Sequence, residues 1–313
     1  MTSRRRFMQN LVTVGAALRY TTLSTPVHAA DAEKERSMTP TMMKRPIPRS
    51  GEMLPVVGLG TYQSFDAAPS PSEREPLKEV LRELVRHGGG VIDSSPMYGR
   101  AESVVGDVTT DTALTKSLFM ATKVWTSGRE AGIAQMHDSM RKMRVDRMDL
   151  MQIHNLLDWR THADTLREWK ESGRIRYSGI THYHEGAYDD LAKIMKTKEF
   201  DFVQFNYSIA EREAEDMILP LALDTGHAVI INRPFAQSSL FARVKGKELP
   251  AWAAEFDCTS WAAFFLKYIL AHPTVTCAIP ATHNPKHMQA NALAGVGKLP
   301  DETTRKKMIA LIG

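Results

Sequence analysis

Val91-Ile92-Asp93-Ser94-Ser95-Pro96-Met97-Tyr98-Gly99 is the stretch on which the fold of this chain turns. An apolar pair runs into an acid, a turn of small residues follows, and a tyrosine is stopped by glycine. The pattern predicts a buried strand ending in a loop, with Asp93 and Tyr98 at the strand's C-terminal end. Barrel enzymes carry their chemistry at that end. Tyrosine is a weak acid in water, with a pKa of roughly 10, so a proton-donating role needs a charged neighbour. Lys123 stands at the end of the next apolar strand, Leu118-Phe119-Met120-Ala121-Thr122-Lys123-Val124, and His154 ends the one after it, at 148–154. An acid, a phenol, an ammonium and an imidazole thus fall at the ends of three consecutive predicted strands.

Outward from this stretch, strand and helix signals alternate, the signature of a parallel sheet with crossover helices. Upstream, residues 44–54 read as a β-hairpin turning at Arg49-Ser50-Gly51. Residues 56–60 form the first barrel strand, with Thr61 and Tyr62 on its C-terminal loop. Helical periodicity covers 74–87, with Val80, Leu81, Leu84 and Val85 as the apolar stripe, and Gly88-Gly89-Gly90 ends it. Downstream, helices are predicted at 101–108, 132–143, 164–171, 187–195, 213–225 and 261–271. Strands are predicted at 117–124, 148–154, 175–180, 200–205, 227–232 and 275–279. Two short helices, near 285–294 and 301–312, close the chain. Eight strands with intervening helices predict an α/β fold of the (β/α)8 TIM-barrel class, as one domain over 42–313.

With 43% hydrophobic and 24% charged residues in 313, the composition is that of a globular protein with one large core. A net charge of +4 and a pI of about 9.0 are weak grounds for nucleic-acid binding. Basic blocks with interleaved aromatics are missing, so no nucleic-acid partner is expected. Cys258 and Cys277 are too few for a disulfide scaffold, and their pairing is left open by the sequence.

The N-terminus has the layout of an export signal. Ser3-Arg4-Arg5-Arg6-Phe7-Met8 precedes an apolar run over 11–18, and small residues lead to Val27-His28-Ala29. Paired arginines followed by phenylalanine look like a twin-arginine signal. Residues 1–29 are therefore expected to be a signal peptide read by the twin-arginine machinery, with Ala30 or Ala32 as alternative cleavage points. Residues 30–41 are expected to be a disordered mature N-terminus, and the location periplasmic or otherwise exported. The apolar run falls well short of the roughly 20 residues of a membrane span, so no permanent anchor is expected.

The order Asp93, Tyr98, Lys123, His154, in the contexts IDSSPMYG, ATKV and QIHN, resembles the catalytic tetrad of the aldo-keto reductases, and the likeness extends over nearly all of 42–295. It implies a carbonyl reductase with the hairpin plugging the barrel bottom, and a compact, monomeric barrel. Tyr98 would be the general acid with its pKa lowered by Lys123, Asp93 would hold Lys123, and a neutral His154 would orient the carbonyl. NADP(H) is the implied cofactor, with NAD(H) not excluded. The carboxamide-binding positions read Thr181-His182, where the family has Ser-Asn, and Gln204 matches the family's glutamine. Asn232 stands where a ring-stacking tyrosine is frequent, and Arg233 follows within reach of a pyrophosphate. The phosphate-binding frame is Pro280-Ala281-Thr282 through Lys286-His287, with Asn291 at the adenine position. Ala281 and His287 replace a lysine and an arginine, which weakens the preference for NADP, and Lys286 is the remaining point charge. Tyr62, Met97, Trp125 and Asn155 adjoin the tetrad and suit a flat or apolar small-molecule carbonyl substrate. The 235–258 connection is expected to cover the pocket.

Two other readings compete. A metal-dependent barrel hydrolase would use His154, His182, His184 and Asp93, but it leaves Tyr98 and Lys123 without a role. A non-catalytic nucleotide-binding barrel would accommodate the departures at His182, Asn232, Ala281 and His287, but has no physical need for all four tetrad groups.

Overall fold

The computed structural model describes residues 41–313. The signal read at 1–29, and all but the last residue of the 30–41 segment, lie outside the described residues. A hairpin comes first, β1 (Lys44–Pro46) antiparallel to β2 (Met53–Pro55). Then follow β3 (Leu59–Gly60), α1 (Pro71–Arg86), β4 (Val91–Asp93), α2 (Ala101–Asp111), β5 (Phe119–Val124), α3 (Arg129–Met143) and β6 (Met148–His154). The alternation continues with α4 (Trp159–Glu171), β7 (Ile175–Thr181), α5 (Tyr188–Met195), β8 (Phe202–Asn206), α6 (Ile218–Thr225) and β9 (Ala228–Asn232). The chain ends with α7 (Ser239–Arg243), α8 (Trp261–Leu270), β10 (Val275–Ala278), α9 (Pro285–Leu293) and α10 (Glu302–Ile312).

β3 to β10 form an eight-stranded parallel sheet in sequential order. Parallel bridges Val57↔Ala278 and Gly60↔Ala281 join its first and last strands. Backbone bonds from Gly58 N to Ala278 O (2.9 Å) and from Ala278 N to Val56 O (2.9 Å) stitch this seam. The seam needs glycine at position 60, where a Cβ would lie 2.8 Å from the Ile279 carbonyl oxygen. The predicted (β/α)8 barrel is the observed architecture.

Because side chains alternate along a strand, the sheet sorts its apolar residues into two cores. Ile92, Met120, Met151, Ile153, Val203 and Val229 face outward and pack with the helices. Val91, Phe119, Leu150, Tyr177, Phe202, Ile230 and Cys277 face inward, joined by Ile47 and Leu54 of the hairpin. The hairpin therefore plugs the barrel bottom, each of those two side chains contributing roughly 1.5–3 kcal/mol by burial. Arg45 fixes the plug from beside it, donating to the carbonyls of His272 (2.8 Å) and Leu270 (2.5 Å).

The differences from the sequence reading are local. α1 starts at Pro71, three residues before 74, because proline suits a first helical turn whose N–H groups are unpaired anyway. α4 starts at Trp159 rather than 164. The predicted helix 213–225 is broken into a 3₁₀ turn, Glu213–Glu215, and α6. At the break the Glu215 carboxylate is drawn off by Tyr207, by Tyr268 (2.7 Å) and by Arg305 (2.5 Å). The 235–258 connection contains α7 and a 3₁₀ segment, Ala251–Phe256. Its aromatic side chains Phe235, Phe241, Trp252 and Phe256 pack on Phe264 and Phe265 of α8. Cys258 and Cys277 are both buried free thiols. Among the described residues no helix is long and apolar enough to cross a membrane.

One buried carboxyl sits in the wall between α2, β5 and α3. Glu102 is 2% exposed, its Oε1 accepts from Thr122 Oγ1 (2.6 Å), and its Oε2 and Ser139 Oγ are left without partners. Burial holds its pKa above the ordinary glutamate value. The folded state thus keeps the proton that the unfolded chain sheds, so stability is full below the unfolded pKa and declines as pH rises through the folded one. Glu102→Gln, which keeps the shape and offers Ser139 a donor, is expected to raise the melting temperature at pH 8 and leave it unchanged near pH 4. Melting curves at the two pH values check this, and an equal shift at both would rule out a titrating carboxyl as the cause.

Candidate active site

The inward rows of the barrel change character toward the C-terminal ends of the strands. Above Val91 comes Asp93, above Ala121 comes Lys123, above Leu150 comes Gln152 and then His154, and above Phe202 comes Gln204. The same two-residue period that builds the apolar floor therefore places a polar layer on top of it. Lys123 is fully buried and Asp93 is 2% exposed. The Lys123 ammonium pairs with Asp93 Oδ2 and donates to the Ser94 carbonyl at 2.7 Å. The other carboxylate oxygen, Asp93 Oδ1, accepts from Gln152 Nε2 and from Gln204 Nε2, each at 2.9 Å. Gln204 Nε2 also lies 3.2 Å from Gln152 Oε1, and Thr181 Oγ1 donates to Gln204 Oε1 at 3.1 Å. A buried ion pair is favourable only when its remaining hydrogen-bonding capacity is met, and these amides meet it. Burial alone would lower the Lys123 pKa, but Asp93 and then Tyr98 outweigh it and hold the ammonium charged.

Tyr98 lies on the loop after β4, partly buried, with Lys123 Nζ 5.2 Å from its ring centroid. Its ring meets Tyr62 at 5.0 Å and, edge-on, His154 at 5.8 Å. The next residue, Gly99, has φ +59°, and a Cβ there would lie 2.6 Å from the Asp66 carboxylate, so the stop after Tyr98 is reserved for glycine. The sequence reading expected Lys123 to lower the Tyr98 pKa, and Lys123 does pull it down. In the structure burial is the larger influence and raises it, with Lys123 pulling down and Asp93 pushing up. Tyr98 thus rests protonated, next to a fixed positive charge that favours the phenolate once a proton leaves. His154 is 5% exposed, and burial, then Lys123, then His182 push its pKa down to about 2, so its imidazole is neutral. Its Nδ1 is 2.9 Å from Ser95 Oγ. A protonated phenol, a neutral imidazole and a locked ammonium can together polarise and protonate an oxygen that gains electrons.

The remaining predicted residues lie at or beyond the C-terminal ends of β3 to β7, β9 and β10. Tyr62, Met97 and Trp125 are exposed apolar side chains, and Trp125 is clamped by Gln135 of α3, whose Oε1 accepts from its backbone N–H at 2.5 Å. Thr181 is buried, whereas His182 is half-buried and stacked on Tyr183 with centroids 5.1 Å apart. Asn232 Nδ2 donates to the His182 carbonyl (2.9 Å), and Arg233 donates to the Tyr183 carbonyl (2.7 Å). Pro280 is buried at the seam, with its carbonyl accepting from Gly60 N at 3.3 Å. Ala281, Lys286 and His287 are exposed, while Thr282 and Asn291 are buried. Asn284 caps α9, accepting from Lys286 N at 2.9 Å. Three polar atoms of mouth residues are buried without partners: Asn155 Oδ1, Asn232 Oδ1 and Arg233 Nε. The Asn232 acceptor and the cationic Arg233 donor match the carboxamide N–H and the anionic phosphates of a nicotinamide nucleotide, so the residues present fit such a group. Among the described residues, no group of three or more His, Cys, Asp or Glu is placed to hold a metal ion. Sequence reasoning missed Gln152, Ser94 and Ser95. Only the even spacing of Gln152 from His154 along the strand hinted that Gln152 faces inward.

The Aldo/keto reductase family profile matches residues 56–307. Methylglyoxal reductase YeaE of Escherichia coli (strain K12) is 26% identical over 260 residues, which is 80% of this chain and 89% of the relative. The NADH-specific methylglyoxal reductase of the same organism is 26% identical over 251 residues, 68% of this chain and 73% of the relative. The crystal structure of an aldo-keto reductase from Klebsiella pneumoniae in complex with NADPH superposes with a TM-score of 0.71 at 22% identity, covering 88% of this chain and 95% of that one. That last likeness is one of fold.

The ion pair is testable apart from any activity. Asp93→Ala leaves a buried ammonium uncompensated and is expected to lower the unfolding free energy by about 3–5 kcal/mol. Adding Lys123→Met should recover most of that loss in urea denaturation. A double variant no more stable than the single one would show that the two side chains are not energetically coupled.

Proposed function

This chain belongs to the aldo/keto reductase family, and from that membership we propose that it reduces a small aldehyde or ketone to the alcohol with NAD(P)H, using Tyr98 as general acid. The observation that carries the assignment is Tyr98 held protonated beside a buried Lys123–Asp93 pair at the mouth of the barrel. When bound, the dihydronicotinamide supplies the hydride that reaches the carbonyl carbon. Tyr98 gives its proton to the carbonyl oxygen, and Lys123 stabilises the phenolate left behind. Asp93 keeps Lys123 from turning toward the oxygen, and Gln152 and Gln204 keep Asp93 from turning toward solvent. His154, neutral, hydrogen-bonds the carbonyl oxygen and fixes its direction. Tyr62, Met97, Trp125 and Asn155 form the rim against which the rest of the substrate rests.

Thr181, His182, Gln204 and Asn232 are proposed to hold the nicotinamide end, with Asn232 Oδ1 as a free acceptor for the carboxamide. Arg233 is proposed at the pyrophosphate, and Pro280, Ala281, Thr282, Lys286, His287 and Asn291 at the adenosine end. NADP(H) is the proposed cofactor, with NAD(H) as its competitor. Lys286 is the one full positive charge between Ala281 and His287. The relatives support both, since one is named NADH-specific and a structural neighbour was solved with NADPH. Residues 1–29 are proposed to direct export by the twin-arginine route, on the strength of Arg5-Arg6-Phe7 and the short apolar run behind it. Export of a reporter fused to these residues, blocked by Arg5→Lys with Arg6→Lys, tests that part.

Tyr98→Phe is expected to lower kcat for a small dicarbonyl such as methylglyoxal by about 100- to 10,000-fold, while nucleotide affinity, read by fluorescence titration, stays within about twofold of the parent. Full activity in that variant would end the general-acid assignment. Lys286→Ala should weaken NADPH by roughly tenfold, the scale of one charge-assisted contact, and leave NADH unchanged. Equal effects on both nucleotides would mean that Lys286 does not read the 2′-phosphate.

A further inference from the structure

We propose that Ser95 is a positioning residue that fixes His154 in the tautomer carrying its proton on Nε2, so that the imidazole is a hydrogen-bond donor toward the barrel mouth. The inference rests on the reductase reading for its consequence, but its geometry stands apart from it.

A neutral imidazole has one N–H and one bare nitrogen, and the two forms do opposite things to a substrate oxygen. Only the form with Nε2–H can donate to a carbonyl. Which form exists is decided by the partner of Nδ1, and here that partner is Ser95 Oγ at 2.9 Å. A serine hydroxyl both donates and accepts, so the contact alone leaves the direction open. The surroundings of Ser95 close it. Ser95 is fully buried, and the Met97 backbone N–H, 3.4 Å away, already points at its oxygen. Among the described residues the hydroxyl proton has no acceptor other than His154 Nδ1. If Nδ1 carried the proton and donated to Ser95, Oγ would take two donors and its own O–H would be buried with nowhere to go. Leaving a buried donor unmet favours the other tautomer by roughly fivefold to more than a hundredfold. With Ser95 donating to Nδ1, every proton in the cluster has a place, and Nε2–H is left for the mouth. Nε2 has no partner among the described residues, and it is not among the atoms that are sealed without one.

The placement of Ser95 follows from the turn that opens the site. Ser94 N donates to the Ala121 carbonyl (2.9 Å), Ser94 Oγ accepts from Thr61 Oγ1 (2.9 Å), and Tyr98 N donates to the Ser95 carbonyl (3.0 Å). These bonds hold the Ser94-Ser95 corner against β5 while the chain turns back to present Tyr98. One turn therefore supplies the phenol and, from its inner side, the hydroxyl that orients the imidazole opposite. The protonation of His154 does not intrude, because burial and the adjacent Lys123 hold its pKa well below the ordinary histidine value and the ring neutral.

The test is two-bond ¹H–¹⁵N correlation spectroscopy on the uniformly ¹⁵N-labelled full chain, with the His154 ring assigned by its loss in His154→Gln. The expected spectrum shows a protonated Nε2 and a hydrogen-bonded, unprotonated Nδ1. A protonated Nδ1 in the parent protein overturns the proposal outright, whatever the variants do. Ser95→Ala, nearly the same volume, should shift the Nδ1 resonance and mix in the second tautomer. It should also lower kcat for carbonyl reduction by roughly tenfold at unchanged nucleotide affinity, and Ser95→Thr should restore both. An unaltered ring spectrum and unaltered kcat in Ser95→Ala would show that the hydroxyl does not set the tautomer. If the parent shows the Nε2–H form but reduces no carbonyl with either nucleotide, the reductase reading fails and the tautomer assignment stands.

Discussion

The Asp93–Lys123 ion pair is the constraint to which the rest of the site is fitted. Two opposite charges sit on the inward face of a barrel, above a floor of Val91, Phe119, Leu150 and Phe202, where neither can be hydrated. Such a pair is stable only if every remaining lone pair and proton is answered. Gln152 and Gln204 answer the carboxylate, and the Ser94 carbonyl answers the ammonium. Thr181 in turn fixes Gln204. The polar layer thus links the ends of five neighbouring strands, β4 to β8, through side chains as well as through the sheet. Its members cannot move one at a time.

Around this fixed charge the two remaining tetrad groups are neutral for opposite reasons. Burial disfavours the phenolate of Tyr98 and the imidazolium of His154 alike, so it raises one pKa and lowers the other. The positive charge of Lys123 has a different effect on each. It opposes protonation of His154, which is wanted, and it favours ionisation of Tyr98, which is useful only once a proton is leaving. A single buried ammonium therefore secures the resting state of one group and prepares the reacting state of the other. Electrostatic assistance of this kind is strongest where water is excluded, and the apolar floor together with the Ile47–Leu54 plug excludes it from below.

The mouth is less uniform than the layer beneath it. Its rim mixes exposed aromatic surface at Tyr62, Trp125 and Tyr183 with partnerless polar atoms at Asn155, Asn232 and Arg233. Asn155 and Arg233 have positive φ, +53° and +50°, so the backbone turns sharply just where β6 and β9 end. The 235–258 connection is anchored to α8 by aromatic packing of Phe235, Phe241, Trp252 and Phe256.

Sequence alone determined the barrel, because a two-residue period inside strands and an alternation of strand and helix are local signals that survive without knowledge of contacts. It also placed Asp93, Tyr98, Lys123 and His154 at strand ends, since apolar runs that stop at a charged or titratable residue mark where the core ends. Helix starts such as Trp159 and the break before Ile218 were not legible, because tertiary ties at residues like Glu215 override periodicity. Gln152 and Ser95 were not legible either: a glutamine within an apolar strand and a serine in a small-residue turn look ordinary until the barrel closes. Only closure brings Asp93 to Gln204 and Ser95 to His154, residues 111 and 59 positions apart. It likewise decided the net direction of the Tyr98 pKa. A sequence shows which charges a group has for neighbours, but how much water each has lost is set by the packed structure.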